Sequence, residues 1–390
     1  MSKTKLPVNP VGQSFYYPSL DGLRFFAFLI VFLHHSLLNI SSNNLFINFF
    51  LVIIQKNGWV GVDLFFVLSG FLITNLLLKE REKFGSFSLK NFWMRRALRI
   101  WPLYYLALMV GFFFIPFILH NLFGQDFSNL AYQLEINKSL PYYLLFLGNW
   151  VVSLNGYSNF TNISHLWTIS LEEQFYFIWP IILLFVKNIK TTFITGFLVI
   201  LLSIITRLYL SATGVSHPGI YTNTLARIDT LTSGAILAAI LHYRPNLLIF
   251  INKFIGFKFR IFCMVILAII LYKVYLFDPN QILNVTLGYL VIGMFMVYFV
   301  YTTIKKDGIG GFLKFKPFTF LGKISYGLYV WHILAIDLVA SLLPGNDKKI
   351  LMVTLAFMLT VIFGLLSYYM YEIWFLKLKS KFTRITSRTI

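Results

Sequence analysis

This chain is poor in charge, nearly without cysteine, and lacks the short motifs that mark soluble enzymes. Asp, Glu, Lys and Arg make up only 12% of its 390 residues, about half of the roughly 25% usual in soluble globular proteins. So few charges cannot clothe a water-facing surface, which excludes two or three soluble domains. The single cysteine, Cys263, excludes an intrachain disulfide, and its place in an apolar run reads as a small buried hydrophobe. Neither a phosphate-binding glycine loop, a Gly-x-Ser-x-Gly elbow nor a metal-ligand spacing occurs in a convincing place, and the seven histidines do not cluster in sequence. No metal is expected. No long soluble domain, internal repeat or low-complexity tract interrupts the chain.

What the chain has instead is apolar bulk. Hydrophobic residues reach 58%, aromatics 19% with 43 Phe, and mean hydropathy is +0.75. This is the composition of an all-α polytopic membrane protein. Spans of about 20 mostly apolar residues fall roughly at 25–42, 59–78, 102–120, 171–187, 192–211, 225–242, 259–277, 281–304, 324–343 and 349–376. The stretch 141–151 is too short to cross and is expected at the interface or as a re-entrant segment. The first run follows Lys3, Lys5 and Arg24 as a signal peptide would, but it carries two histidines and lacks a small-residue cleavage site. It therefore reads as a retained first span.

The net charge of +19 would suggest nucleic acid in a soluble chain. Sorted by loop, it suggests topology instead. With the N-terminus in the cytoplasm, 26 of the 33 Lys and Arg residues fall in inside segments. Both termini are then cytoplasmic, and no nucleic acid is needed to explain the charge. The expected organisation is a cytoplasmic segment over 1–24, one transmembrane domain over 25–376 and a basic cytoplasmic tail over 377–390.

Several residues can carry chemistry. Arg24 and His35 are eleven apart, three helical turns plus about 20°, so they share a face, and a rise of about 16 Å takes His35 toward the bilayer midplane. An ionisable group at that depth points to function, or to a neutral histidine bonded to a neighbouring helix. In GWVGVDLFFVLSGFLIT, Gly58, Gly61 and Gly70 permit close helix approach. Ser69 sits mid-span, where it can donate to a substrate, and Asp63 is expected to face water near the outer boundary. Arg95, Arg96 and Arg99 occupy one helical turn and suit either a phosphorylated ligand or lipid headgroups. Glu172 and Glu173 open a span in its first turn, where the helix dipole favours carboxylates. With His165 and Tyr176 they also resemble a site that binds hydroxyls or moves protons. Arg227 and Asp229 fit a local ion pair or a substrate contact equally well. His332 lies about 12 Å into its span, and Glu372 near the inner end of the last span can pair with a basic residue.

Six segments in order, LDGLRFFAFLIVFLHH, GVDLFFVLSGFLIT, RRALRIWPLYYL, HLWTISLEEQFYFIWP, RIDTLTSGAILA and GKISYGLYVWH, make the chain similar to membrane-bound acyltransferase family 3 over positions 20–332. The resemblance implies a ten-span bacterial inner-membrane enzyme that O-acylates surface carbohydrates with acetyl-CoA as acyl donor. It places the family's catalytic histidine at His35 with its partner at Arg24, the acyl-coenzyme A pair at Arg96 and Arg99, and the acidic position at Glu172. Arg95 is grouped with the donor-binding arginines, and Ser69, Glu173, Arg227 and Asp229 are candidates for the acceptor. The family's Glu-x-Pro ending is met only by Glu372, with Trp374 where proline is expected. The fused extracellular esterase-like domain of some relatives is not expected, so a later transfer step would fall to a partner protein. A transporter or flippase for a lipid-linked sugar is the rival reading, in which the same buried charges relay protons or bind cargo.

Overall fold

The computed structural model describes residues 16–38, 40–41, 43–117, 130–157, 163–247, 284–305, 309–343 and 349–385. Every regular element among them is a helix. The principal ones are α1 (Pro18–Ser36), α2 (Leu45–Asn57), α3 (Val60–Phe84), α4 (Leu89–Met109), α5 (Trp167–Phe185), α6 (Ile189–Ala212), α7 (Thr224–Tyr243), α8 (Tyr289–Ile304), α9 (Ser325–Leu342) and α10 (Lys349–Ser367). Among the described residues, seven helices are long and apolar enough to cross a membrane: Val60–Phe84, Leu89–Phe117, Ser164–Phe185, Ile189–Ala212, Thr224–Tyr243, Ser325–Leu342 and Lys349–Phe382. They match seven of the expected spans. The expected span 281–304 is met by the shorter α8, and 259–277 lies outside the described residues.

Helix boundaries differ from the sequence expectation where local chemistry overrides hydropathy. α1 starts at Pro18 and ends at Ser36, not 25–42. Proline at the first turn has no N–H to leave unpaired, and Asp21 favours the positive helix end, so the helix begins before the apolar run. Arg24 therefore lies inside α1. α4 likewise starts at Leu89, because Ser88 caps it by accepting from the Asn91 N–H at 3.2 Å. It runs on through a π-turn at Val110–Phe114 to Phe117. α2 was not anticipated. It is capped by Asn44, whose side chain accepts from the N–H groups of Phe46 and Ile47. Thirteen residues reach only about 20 Å, short of a crossing. The stretch 141–151 breaks between helices Leu130–Leu144 and Gly148–Asn155. The break falls at Phe146, whose φ of 56° is held by its ring stacked 4.5 Å from Tyr104.

Peripheral helices are inside-out. α6 buries Thr192, Gly196, Ser203 and Arg207, a helical stripe of small and polar residues, while Phe193, Phe197, Leu201, Leu208 and Tyr209 are exposed. α10 buries Ala356, Thr360, Gly364 and Ser367 in the same manner. Such a pattern suits hydrocarbon outside and hydrogen-bonding partners inside, so the chain is a multi-pass membrane protein. α1, α3 and α7 form the centre. α3 and α7 touch backbone to backbone, with Gly70 against the Leu231 carbonyl and Gly234 against that of Val67. Gly61 lies against Ala27 and Val31 of α1 in the same way, and Gly58 against His34. The expectation that these glycines serve close approach holds.

Candidate active site

One face of α3 organises the interior. Val62, Phe65, Phe66 and Ser69 line an inner cavity, and Leu72, Asn75, Leu76 and Lys79 continue the same stripe along an outer one. At 1.5 Å per residue the stripe extends about 25 Å. The inner cavity lies between Arg24 of α1, Arg96, Arg99 and Ile100 of α4, Thr168, Ile169, Glu172 and Tyr176 of α5, and Ser325, Tyr326 and Tyr329 of α9. Thr168, Glu172 and Tyr176 are four apart in sequence and so share one face of α5. The outer cavity opens among Tyr16, Tyr17, Asp21 and Lys79. Arg24, Arg96 and Arg99 line both cavities, and thus stand at their junction.

Within the inner cavity Ser69, Glu172 and Tyr176 form a closed triangle. Ser69 Oγ donates to Glu172 Oε1 at 2.6 Å, the Tyr176 hydroxyl donates to Oε2 at 2.9 Å, and the two hydroxyl oxygens are 2.7 Å apart. The Arg96 guanidinium covers the Tyr176 ring at 5.2 Å and the Phe92 ring at 5.6 Å, so its charge is held over a π face beside the carboxylate. Asp21 accepts from the Tyr16 hydroxyl at 2.6 Å and pairs with Arg24 at 3.5 Å. Tyr326 donates to the Ile100 carbonyl at 2.7 Å and ties α9 to α4.

His35 stands behind this cavity, not in it. Phe65 meets Tyr329 edge-on at 6.0 Å, and both rings belong to the cavity lining. One turn farther along α9 lies His332, whose Nε2 is 2.9 Å from His35 Nδ1. His332 is fully buried, whereas His35 keeps partial exposure. His165 lies edge-on to His332 with centroids 5.0 Å apart. The helix face shared by Arg24 and His35 thus puts the arginine in the cavity lining and the imidazole beside His332, outside that lining.

Of the residues expected to act, Arg24, Ser69, Arg96, Arg99 and Glu172 come together. Arg95 does not: its guanidinium is 2.7 Å from Glu80 and donates to the Phe382 carbonyl at 2.8 Å, away from both cavities. Glu173 accepts from the Trp101 indole at 2.9 Å, outside the cavity lining. Arg227 and Asp229 are paired, but not with each other: Arg227 bonds Asp63 at 2.5 Å and Asp229 bonds Arg207 at 2.8 Å. Asp63, expected to face water, is fully buried in that pair. Glu372 accepts from Ser367 Oγ at 3.1 Å and lies within electrostatic reach of Arg99. The helix continues past it through Ile373–Lys379, since Trp374 keeps the N–H that proline would lack. Sequence reasoning missed the His35–His332 contact and the place of Tyr329 in the cavity lining. The depths of about 16 and 12 Å in their spans were the available signal for the first.

A family model described as an acyltransferase domain matches residues 17–369. The peptidoglycan O-acetyltransferase OatA of Listeria monocytogenes is 31% identical over 371 residues, covering 88% of this chain and 54% of the relative. A putative O-acetyltransferase of Staphylococcus aureus is 28% identical over 385 residues, with 94% and 58% covered. A putative peptidoglycan O-acetyltransferase of Bacillus subtilis, YrhL, is 27% identical over 379 residues, with 92% and 54% covered. The chain therefore spans little more than half the length of these relatives. No solved structure matches.

Proposed function

This chain belongs to acyltransferase family 3, and on that premise we propose that it moves an acetyl group from acetyl-CoA to a hydroxyl of an envelope glycan. Peptidoglycan is the first acceptor to test, because relatives at about 30% identity carry that substrate in their names. The observation that carries the reading is the cavity pair: arginines shared by both cavities, a carboxylate with two hydroxyls inside, and an imidazole outside the lining. The setting is the bacterial cytoplasmic membrane with both termini inside, a placement that the distribution of basic residues supports.

In this reading the donor enters from the basic end. Its phosphates meet Arg24, Arg96, Arg99 and Lys79, since guanidinium forks match phosphate oxygens in pairs. The thioester arm extends along the α3 stripe into the inner cavity, past Ser69. Phe65 and Tyr329 line the cavity and His35 does not, so a turn of these rings would be the conformational step that brings acyl group and imidazole together. The acceptor hydroxyl comes from the opposite face. His35 takes its proton as the oxygen attacks the thioester carbon, the carbon–sulfur bond breaks, and the leaving thiolate takes that proton back from the imidazole. General-base action of this kind contributes about 10²–10⁴ in rate. Glu172, held by Ser69 and Tyr176, orients the arm or the acceptor. A covalent acyl-imidazole on His35 is the variant of the same scheme in which the acyl group pauses before transfer.

The test uses the full chain in proteoliposomes with radiolabelled acetyl-CoA and a soluble glycan acceptor. CoA release with label on the glycan, lost in His35→Ala, is the expected result. Full transfer by His35→Ala removes the histidine from the chemistry, and a wild-type protein that neither hydrolyses nor transfers the acetyl group refutes the reading and favours a flippase. Mass spectrometry of envelope glycans from a deletion strain then identifies the acceptor by its missing acetyl increment.

A further inference from the structure

His332 follows Tyr329 by one turn of α9, lines neither cavity and has no part in the scheme above. Its hydrogen bonds nevertheless decide which atom of His35 can react. His332 Nδ1 is 2.6 Å from the Tyr329 carbonyl oxygen. A carbonyl only accepts, so Nδ1 carries the hydrogen. With the ring neutral, His332 Nε2 is then a bare acceptor, and the atom it faces at 2.9 Å is His35 Nδ1. That nitrogen must donate. The hydrogen of His35 is thereby placed on Nδ1, and its Nε2 is left with the lone pair.

The ring that imposes this choice cannot turn. Phe28 stands edge-on to His332 at 6.1 Å and 87°, His165 at 5.0 Å and 80°, and Tyr329 lies 5.3 Å away. His165 is itself fixed, its Nε2 3.1 Å from the Val330 carbonyl. The backbone of α9 thus sets one imidazole, and that imidazole sets the next.

We infer that His332 is a positioning residue for acyl transfer, which orients His35 and fixes its tautomer so that Nε2 faces the reacting groups. The inference rests on the reading of His35 as base or acyl carrier. When His35 Nε2 takes the acceptor's proton, Nδ1–H keeps its bond to His332, so no ring has to reorient during the step. The arrangement has the logic of a base held by a third group, with a neutral imidazole where serine hydrolases place a carboxylate.

The test compares steady-state kinetics of His332→Ala, His332→Gln, His35→Ala and the double variant His35→Ala/His332→Ala, each checked for its thermal midpoint. His332→Ala is expected to lower kcat about 10- to 100-fold, the scale of a misplaced catalytic group, with the acetyl-CoA KM within about two-fold of wild type. Gln places an amide oxygen where Nε2 stood and accepts the same hydrogen bond, so His332→Gln should recover a measurable part of kcat. The double variant should be no slower than His35→Ala. Wild-type kcat in His332→Ala, with His35→Ala inactive, overturns the inference alone. Equal losses in folded Ala and Gln variants overturn it too. Full activity in His35→Ala overturns the reading beneath it. Should His332→Ala fail to fold, the Gln variant and the double-variant comparison on a Gln background still decide.

Discussion

At the scale of single residues, adjacency in sequence says little about role in a membrane helix. Arg95 and Arg96 are neighbours, yet one grips Glu80 and the other covers Tyr176 at the edge of both cavities. Their replacements should separate cleanly. Arg96→Ala should raise the acetyl-CoA KM by about ten-fold or more, the scale of one lost charge-assisted hydrogen bond, and leave the thermal midpoint near wild type. Arg95→Ala should do the reverse, because it strands Glu80 inside the protein. The same logic applies to Asp63. Its removal leaves the Arg227 guanidinium buried with no carboxylate at 2.5 Å, so Asp63→Ala should destabilise by about 3–5 kcal/mol. The double variant Asp63→Ala/Arg227→Leu should regain part of that in a thermal melt. A lone Asp63→Ala as stable as wild type would show that the pair carries no structural weight.

At the scale of elements, α3 does two jobs with two faces. One face carries the stripe from Val62 to Lys79 that lines the cavities, and the other presents Gly70 to the backbone of α7. A side chain at Gly70 would collide with the Leu231 carbonyl, and a carbonyl cannot swing aside as a rotamer can. Gly70→Leu is expected to cost about 1–3 kcal/mol through overpacking, read as a lower thermal midpoint in detergent. Gly311→Ala, where nothing lies within 4 Å, is the matched control and should be unchanged. The element level is also where sequence reading succeeded most. Seven spans were visible in hydropathy alone, because a crossing of hydrocarbon demands a long apolar run whatever it packs against. Boundaries were less visible. α1 and α4 begin before their apolar runs because Pro18, Asp21 and Ser88 supply helix starts that hydropathy does not weigh. α2 was passed over because its run is short, and length was the criterion.

At the scale of the whole molecule, the positive-inside pattern predicts which loops share a side. In a Cys263→Ser background, Lys83→Cys at the exposed end of α3 should react with an impermeant maleimide only from the cytoplasmic side. Asn43→Cys before α2 should react only from the other. Labelling of both from one side would overturn the topology. The site was legible in part for the same reason as the topology. Arg24, Arg96, Arg99 and Glu172 were marked by charge inside apolar sequence, which is expensive and therefore conspicuous. The pairing of Asp63 with Arg227, of Asp229 with Arg207 and of His35 with His332 could not be read, because each joins helices far apart in the chain and no local period records such contacts.

The junction where Arg24, Arg96 and Arg99 meet has one more consequence. A protein with space leading from one membrane face deep into the bilayer risks becoming a leak. The arginines shared by the two cavities disfavour sodium ions and hydronium there, as basic rings do in anion-selective pores. The apolar Phe65 ring, set edge-on to Tyr329, adds apolar surface to the same lining. On the proposed function, the side chains that would receive the donor's phosphates would also help insulate the membrane.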